Sequence, residues 1–301
     1  MLTPVLDNEF RLLVAGGTTA GRKHLHRTGS TSPECSGRRW LFDTGSMATE
    51  PTRSATYFDA WYAGMVGSAI KDEVQQRHLG LPPDLLSTSL LTWGGIGEVT
   101  QTLQLAVGDT LLDLACGRGG YGLEIATRTG ADLIGVDLSA EAIRQAAKLA
   151  QRRSQAADFR VGDLTATGLQ TNSIDAVLCI DAIQFASPSA AAYQEMRRVL
   201  KPGGRATLTC WEPIDRNVDG LPDRLRVVDL QAGLEGAGFQ DVEVAERPNW
   251  RTAERAMWQE AVTLDAGEDP ALHSFRDEGV RSLLTFTLLR RVLATATAPT
   301  A

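Results

Sequence analysis

The chain is 301 residues long, with 43% hydrophobic and 22% charged side chains, ordinary for a globular protein able to bury a full core. A net charge of −7 and a pI near 5.2 argue against nucleic acid, whose binders carry a basic face, and no apolar run approaches the ~18 residues of a membrane span. No basic-apolar-small leader is visible, and Cys35, Cys116, Cys179 and Cys210 lack metal-ligand spacing, so the chain reads as cytoplasmic with reduced, structural thiols.

Residues 1–46 scatter glycines among Thr, Ser, Arg and His without periodicity, and read as a disordered extension. The His24-x-His26 pair within it reads as part of a solvated tail. From Tyr57 to Leu105 the pattern is helical: Tyr57, Trp61, Met65 and Ile70 form a stripe, with Phe58 and Tyr62 beside it. Pro82-Pro83-Asp84 and Trp93-Gly94-Gly95 interrupt it. Strand and helix then alternate, which implies a parallel sheet with helices on both faces. The first strand is Thr110 to Ala115 and its helix runs from about Gly120 to Thr129. The second strand, Asp132 to Asp137, meets a helix capped by Ser139 that extends to about Arg153. Further strands cover Asp158 to Gly162 and Ile174 to Ile180. Ser187-Pro188 marks a helix with proline at its first position, striped by Tyr193, Met196, Val199 and Leu200. Pro202-Gly203-Gly204 ends that helix and feeds the fifth strand, Arg205 to Trp211. A helix around Leu225 to Glu235, a sixth strand at Val242 and Val244, a helix from Thr252 to Leu264 and another from about Ala271 complete the order.

Chemistry concentrates at the first two strands. After Leu111, Leu112 and Leu114 come Ala115, Cys116 and a loop with Gly117, Gly119, Gly120 and Gly122. A strand feeding through glycines into a helix leaves backbone N–H groups and the positive helix end free to hold an anion. Asp137, at the tip of the second strand, is placed to accept from the ribose hydroxyls of a nucleotide. Asp113, inside an apolar strand, needs partners to be affordable there.

Asp113-Leu-Ala-Cys-Gly-Arg-Gly, Gly135-Val-Asp137-Leu-Ser, Val161-Gly-Asp163-Leu, the strand to Asp181 and Arg198-Val-Leu-Lys-Pro-Gly-Gly-Arg205 together resemble the class I S-adenosylmethionine-dependent methyltransferases. The resemblance runs from about Tyr57 to the C-terminus, with Met47 resembling an ordinary start. It implies an α/β fold, a doubly wound, mostly parallel seven-stranded sheet of Rossmann-like type. A helical cover over 55–105 precedes the sheet in a domain spanning 47–301. The family's seventh strand, antiparallel between the fifth and sixth, falls on Val292 to Ala296. The resemblance implies S-adenosyl-L-methionine as cofactor. Asp113, Gly117 and Gly119 then line its methionyl end, and Ala115 stands where the family often has glycine. Asp137 takes the ribose, Leu138 flanks the adenine, and Asp163 and Leu164 meet the ring's amino group and nitrogen. Asp163 has an alternative as a turn cap. Ile180 and Asp181 face the methionyl ammonium and the acceptor.

Tyr57, Trp61, Tyr62, Trp93 and Trp211, with Trp250, are expected either to pack the helices or to wall an acceptor site. The acceptor implied is a small, partly aromatic or apolar molecule methylated on oxygen, nitrogen or carbon. Asp181-Ala-Ile-Gln184-Phe185 stands where many DNA amine methyltransferases carry an Asn-Pro-Pro-aromatic motif. His78, Asp181 and Glu212 are the candidates for a base, none supported by a motif, so the catalytic residue is left open. No metal is expected. Neither oligomeric state nor acceptor is legible. Gly117-x-Gly119-x-x-Gly122 with Asp137 also satisfies the fingerprint of a NAD-dependent oxidoreductase. Asp113 interrupting the strand and the long helical cover argue against that. A non-catalytic cofactor-binding protein is the third reading.

Overall fold

The computed structural model describes residues 54–85 and 88–300, so the extension expected over 1–46 lies outside the described residues. Among the described residues three helices precede the sheet: α1 (Ala55–Gly64), α2 (Ala69–Leu79) and α3 (Trp93–Leu103). Each begins at a hydroxyl residue. Ser54, Ser68 and Thr92 accept from the N–H groups of Tyr57, Lys71 and Gly95, and such caps are typically worth ~1 kcal/mol each. On α1, Tyr57, Phe58, Trp61 and Tyr62 share one broad face, continued by Met65; Ile70 is left half exposed and does not extend the stripe.

The alternating core follows as β1 (Thr110–Leu114), α4 (Gly120–Thr129), β2 (Asp132–Asp137), α5 (Ala140–Arg152), β3 (Asp158–Val161), β4 (Ile174–Ile180), α6 (Ser189–Val199) and β5 (Leu200–Pro213). Then come α7 (Asp223–Arg226), α8 (Leu230–Gly236), β6 (Gln240–Glu246), α9 (Pro248–Ala261), α10 (Pro270–Thr285) and β7 (Leu289–Thr297). The sheet order is β3-β2-β1-β4-β5-β7-β6, with β7 antiparallel to both neighbours and the other pairings parallel. This is the expected doubly wound seven-stranded architecture.

Five boundaries differ from the sequence reading, one of them α9, which runs from Pro248 to Ala261 rather than from Thr252 to Leu264. Pro188 is the cap of α6 rather than its first residue. β5 starts at Leu200, because Ile174 pairs with Leu200 and Ala176 with Arg205; Pro202-Gly203-Gly204 therefore bulges out between paired residues. The helix expected over 225–235 is broken into α7 and α8, where Asp229 caps α8 and the buried Glu212 carboxylate accepts the Leu230 N–H at 2.7 Å. Lastly, β7 begins three residues earlier than Val292 and so takes in Arg290 and Arg291.

Side chains alternate between two cores. Leu111, Leu178 and Leu293 pack with α2, α3, α4 and α9, whereas Leu112, Val177 and Val292 pack with α6 and α8. Asp113 shares the face of Leu111, toward α4. There the Gly122 N–H meets its carboxylate, and a Cβ on Gly122 would stand 2.5 Å from Asp113 Oδ2 and 3.1 Å from Leu133 Cδ1. Gly122→Val is therefore expected to cost about 3 kcal/mol of overpacking, which lowers the melting temperature on the order of 10 °C. Gly94, where a Cβ meets nothing within 4 Å, supplies the control. Thermal melts of Gly122→Val and Gly94→Ala check this; equal, small shifts in both would refute the close approach.

Candidate functional site

A cavity of about 710 Å³ opens at the carboxyl ends of the parallel strands, where open α/β sheets place their ligands. Its wall brings together Ala115 after β1, Asp137 and Leu138 at the tip of β2, Asp163 and Leu164 beyond β3, and Ile180 and Asp181 at the end of β4. Tyr57, Trp61 and Tyr62 of α1 and Trp211 of β5 also reach it, joined by Phe58, Phe185 and Phe286. Among the described residues six carboxyl groups stand on the wall (Asp137, Asp163, Asp181, Glu254, Asp277 and Glu278) against two guanidinium groups, Arg224 and Arg281. Such a wall favours a cation.

Asp137 is 6% exposed, and its oxygens are held by the N–H groups of Gly117 at 2.8 Å and Ser139 at 2.9 Å. Burial raises its pKa and those two donors pull it back. Ala115 has φ +60°, the left-handed region that favours glycine, so the departure from the family pattern costs about 1 kcal/mol of backbone strain. The Asp163 Oδ1 accepts from the Thr165 N–H and hydroxyl at 2.7 and 2.6 Å, so this acid caps a turn while standing on the wall.

Asp59, which the sequence reading passed over, joins α1 to this end of the sheet. It accepts from the Ser139 hydroxyl at 2.6 Å and the Glu141 N–H at 3.0 Å, at the N-terminus of α5. Those donors hold its carboxyl below the usual range. Gln145 adds a bond to the Tyr62 carbonyl at 3.1 Å.

Several expected residues stand off the wall. Asp113 lies behind it, 3% exposed and tethered to Gly122; burial, with the Asp137 charge, pushes its carboxyl up to about 7. Gly117 and Gly119 are also off the wall. Gly117 faces Tyr62, whose hydroxyl would be 2.8 Å from a Cβ there. Trp93 turns outward at the start of α3, 39% exposed, with the Arg128 guanidinium 4.2 Å from its ring centroid. Trp250 is buried against α3 near Gly95.

Beneath the aromatic wall lies a charged group of three. Both terminal nitrogens of Arg291 donate to Asp181, one of them at 2.8 Å, and Asp181 also accepts from the Thr209 hydroxyl at 2.8 Å. Arg291 Nε is 3.4 Å from Glu254 Oε2, and the Trp211 indole donates to Glu254 Oε1 at 3.0 Å. Burial opposes the charge on Arg291, but the two carboxylates hold its pKa above the ordinary value. Glu254 is pushed up to about 8, first by burial and despite Arg291. Of the expected bases, His78 binds Glu260 at 2.7 Å and Glu212 binds Arg290 at 2.8 Å, both off the wall; Asp181 is locked to Arg291. Glu254 had a signal in the sequence, since it interrupts the apolar face Trp250, Met257, Trp258 and Ala261 of α9. Among the described residues no His/Cys/Asp/Glu group is arranged for a metal, and no helix is long and apolar enough to cross a membrane.

Residues 111–204 match the methyltransferase domain family. Over this region the chain is similar to class I S-adenosylmethionine-dependent methyltransferase domains. The chain is 31% identical over 167 residues to an arsenite methyltransferase of Halobacterium salinarum, covering 51% of this chain and 43% of that protein. It is 33% identical over 140 residues to a sterol 24-C-methyltransferase of Saccharomyces cerevisiae, covering 45% and 37%. The chain thus spans about two fifths of the length of these curated relatives. Among solved structures, phosphoethanolamine N-methyltransferase 2 of Haemonchus contortus, bound to S-adenosyl-L-methionine, superposes with a TM-score of 0.66 at 19% identity, over 82% of this chain and 59% of that one. The cyclase SpnF superposes with a TM-score of 0.62 at 20% identity, over 82% and 97%. The shared fold therefore supports more than one activity, and function has to be argued from the site.

Proposed function

We propose that the chain transfers a methyl group from S-adenosylmethionine to a small organic acceptor in the cytoplasm. The observation that carries this reading is a single cavity whose wall joins the nucleotide-type acid Asp137 to an acidic floor and an aromatic roof. The donor set suits the cofactor. Asp137 presents a pre-oriented carboxylate to a ribose diol, Leu138 and Leu164 offer apolar contact to a base, and the acidic wall suits a cation. A Cβ at Gly162, on the wall just past β3, would stand 2.9 Å from Val136 Cγ1, so the wall is closely packed at that point. When bound, the cofactor supplies a methyl group on a cationic sulfur that leaves as a neutral thioether. The protein's part is to hold the acceptor in line and exclude water, and such alignment is worth about 7–11 kcal/mol.

In the same reading residues 47–301 are the methyltransferase domain, with α1 to α3 as its cover. The acceptor is a partly aromatic or apolar small molecule of the kind tailored in secondary metabolism. Phe58, Trp61, Phe185, Trp211 and Phe286 supply flat apolar surface, and the carboxyl-rich wall repels a nucleic acid backbone. The named relatives are methyltransferases of arsenite and sterols, which is in keeping with a small acceptor. Nothing favours an oxidoreductase: Asp113 serves to join β1 to α4, as that alternative does not require. A cofactor-binding protein without transfer activity is separated by the assay itself. Labelled cofactor is offered to metabolite, nucleic acid and protein fractions from the source organism. Label is expected in a small organic product and reduced at least tenfold by Trp61→Ala; label mainly in RNA or protein, or none anywhere, would defeat the reading.

A further inference from the structure

The cavity floor carries a carboxyl group for which cofactor binding has no use. Glu254 is 2% exposed yet stands on the wall. Its Oε1 is fixed by the Trp211 indole, whereas Oε2 has no hydrogen-bond donor among the described residues, with Arg291 Nε 3.4 Å away. Asp181 already takes both terminal nitrogens of Arg291. The buried Glu254 and the part-buried Asp181 thus share one guanidinium, and Glu254 has the lesser share. The other acids on the wall are disposed differently. Asp163 and Asp277 are exposed, Glu278 pairs with Arg281 at 2.8 Å, and Asp137 is held by two backbone donors. Among the described residues no histidine or lysine stands on the wall.

We propose, on the methyltransferase reading, that Glu254 is the carboxylate that takes the acceptor's proton, and that the cationic sulfonium of the bound cofactor draws it into that role. As the acceptor X–H attacks, the X–C bond forms, the C–S bond breaks with its electron pair left on sulfur, and the proton of X–H passes to Glu254 Oε2. The charges around Glu254 give the switch its sense. From β7, Arg291 favours the ionised form; from the end of β4, Asp181 opposes it; from β5, the Trp211 N–H favours it; from its own helix, Arg251 favours it weakly. The other helices packed on α9 spend their charges elsewhere, Arg77 and His78 of α2 on Glu260, and Glu278 and Arg281 of α10 on each other. With its carboxyl held up to about 8, Glu254 carries its proton near neutral pH until a further cation enters the cavity.

The test needs no acceptor. Binding of S-adenosylmethionine and of S-adenosylhomocysteine, which lacks the sulfonium charge, is measured by calorimetry at pH 7.5 in buffers of different ionisation enthalpy. Complete loss of the Glu254 proton would release about three quarters of a proton more with the methylated ligand than with the neutral one. The ligands' own amino groups titrate alike in wild type and Glu254→Gln, so the difference between the two proteins isolates Glu254. The sulfonium-specific release is expected to vanish in Glu254→Gln while both ligands still bind. Trp211→Phe removes the indole donor, and should move the pH midpoint of release upward even if the Gln variant fails to fold. With labelled cofactor and the small organic fraction, Glu254→Gln should lower kcat by about 10²–10⁴ and Glu254→Asp by less. Equal proton release with both ligands in wild type, or release unchanged in Glu254→Gln, would overturn the assignment. Failure of wild type to bind either ligand would instead overturn the methyltransferase reading beneath it.

Discussion

Arg291→Met is expected to lower the melting temperature on the order of 10 °C, the largest loss of stability from any single side chain of the cavity floor. Arg291 is 1% exposed and sits between Asp181 and Glu254. Removing one partner of a buried ion pair costs about 3–5 kcal/mol, because the remaining charge is left without compensation. At this chain length each kcal/mol moves the melting point by about 2–4 °C. The pH dependence carries a sign. Glu254 has a folded value of about 8 against an ordinary 4.5, so its contribution is fully present below the ordinary value and is lost as pH rises through the folded one. Arg291 lowers the Glu254 value, so its removal raises that value further and extends the loss to higher pH. The deficit of the variant should therefore be smaller at pH 5 than at pH 8.5, and Glu254→Gln in the same chain should recover part of it. Melting curves from pH 5 to 9 check this. A deficit independent of pH would mean that Arg291 acts through Asp181 and packing and not through Glu254.

The architecture was legible because central parallel strands are buried on both faces. Leu111-Leu112, Leu133 to Val136 and Ala176 to Ile180 each read as an apolar run, and glycines or capping serines mark where helices begin. The placement of β7 between β5 and β6 came from the family resemblance, since nothing local in Val292 to Ala296 encodes its neighbours. Arg290 and Arg291 lay outside the strand that the resemblance assigned, since the segment from Arg291 could equally extend the preceding helix. What makes Arg291 tolerable is the pair of carboxylates supplied from positions 181 and 254, which periodicity in one segment does not contain. Glu254 was missed for the same reason, although a carboxylate within the face of two tryptophans was a local signal. Trp93 shows the opposite error. Its place among the aromatics before the core suggested either packing or a wall, but at the start of α3 its ring turns outward and is covered by Arg128. Asp137 and Asp181 stand at strand tips, positions that follow directly from the strand boundaries.

Asp137→Ala is expected to weaken binding of S-adenosylhomocysteine by about 10²–10³-fold, the largest effect on the cofactor from any single side chain. A buried carboxylate accepting from two ligand hydroxyls makes charge-assisted bonds worth about 1.5–3 kcal/mol each, and the oxygens here are already oriented by Gly117 and Ser139. No reordering is then needed on binding. Asp163→Ala should cost much less, since its Oδ1 is committed to Thr165 and the residue is exposed. Asp137→Asn separates charge from shape. Its amide would set an N–H donor against the N–H of Gly117 or Ser139, so the isosteric variant should lose affinity rather than preserve it, and should also disturb the glycine loop. Calorimetric affinities of the three variants, with melting curves to register any disturbance of the loop, provide the comparison. An Ala variant that binds within threefold of wild type would remove Asp137 from the cofactor site. A loss in Asp163→Ala as large as in Asp137→Ala would shift the main anchor from the β2 tip to the turn after β3.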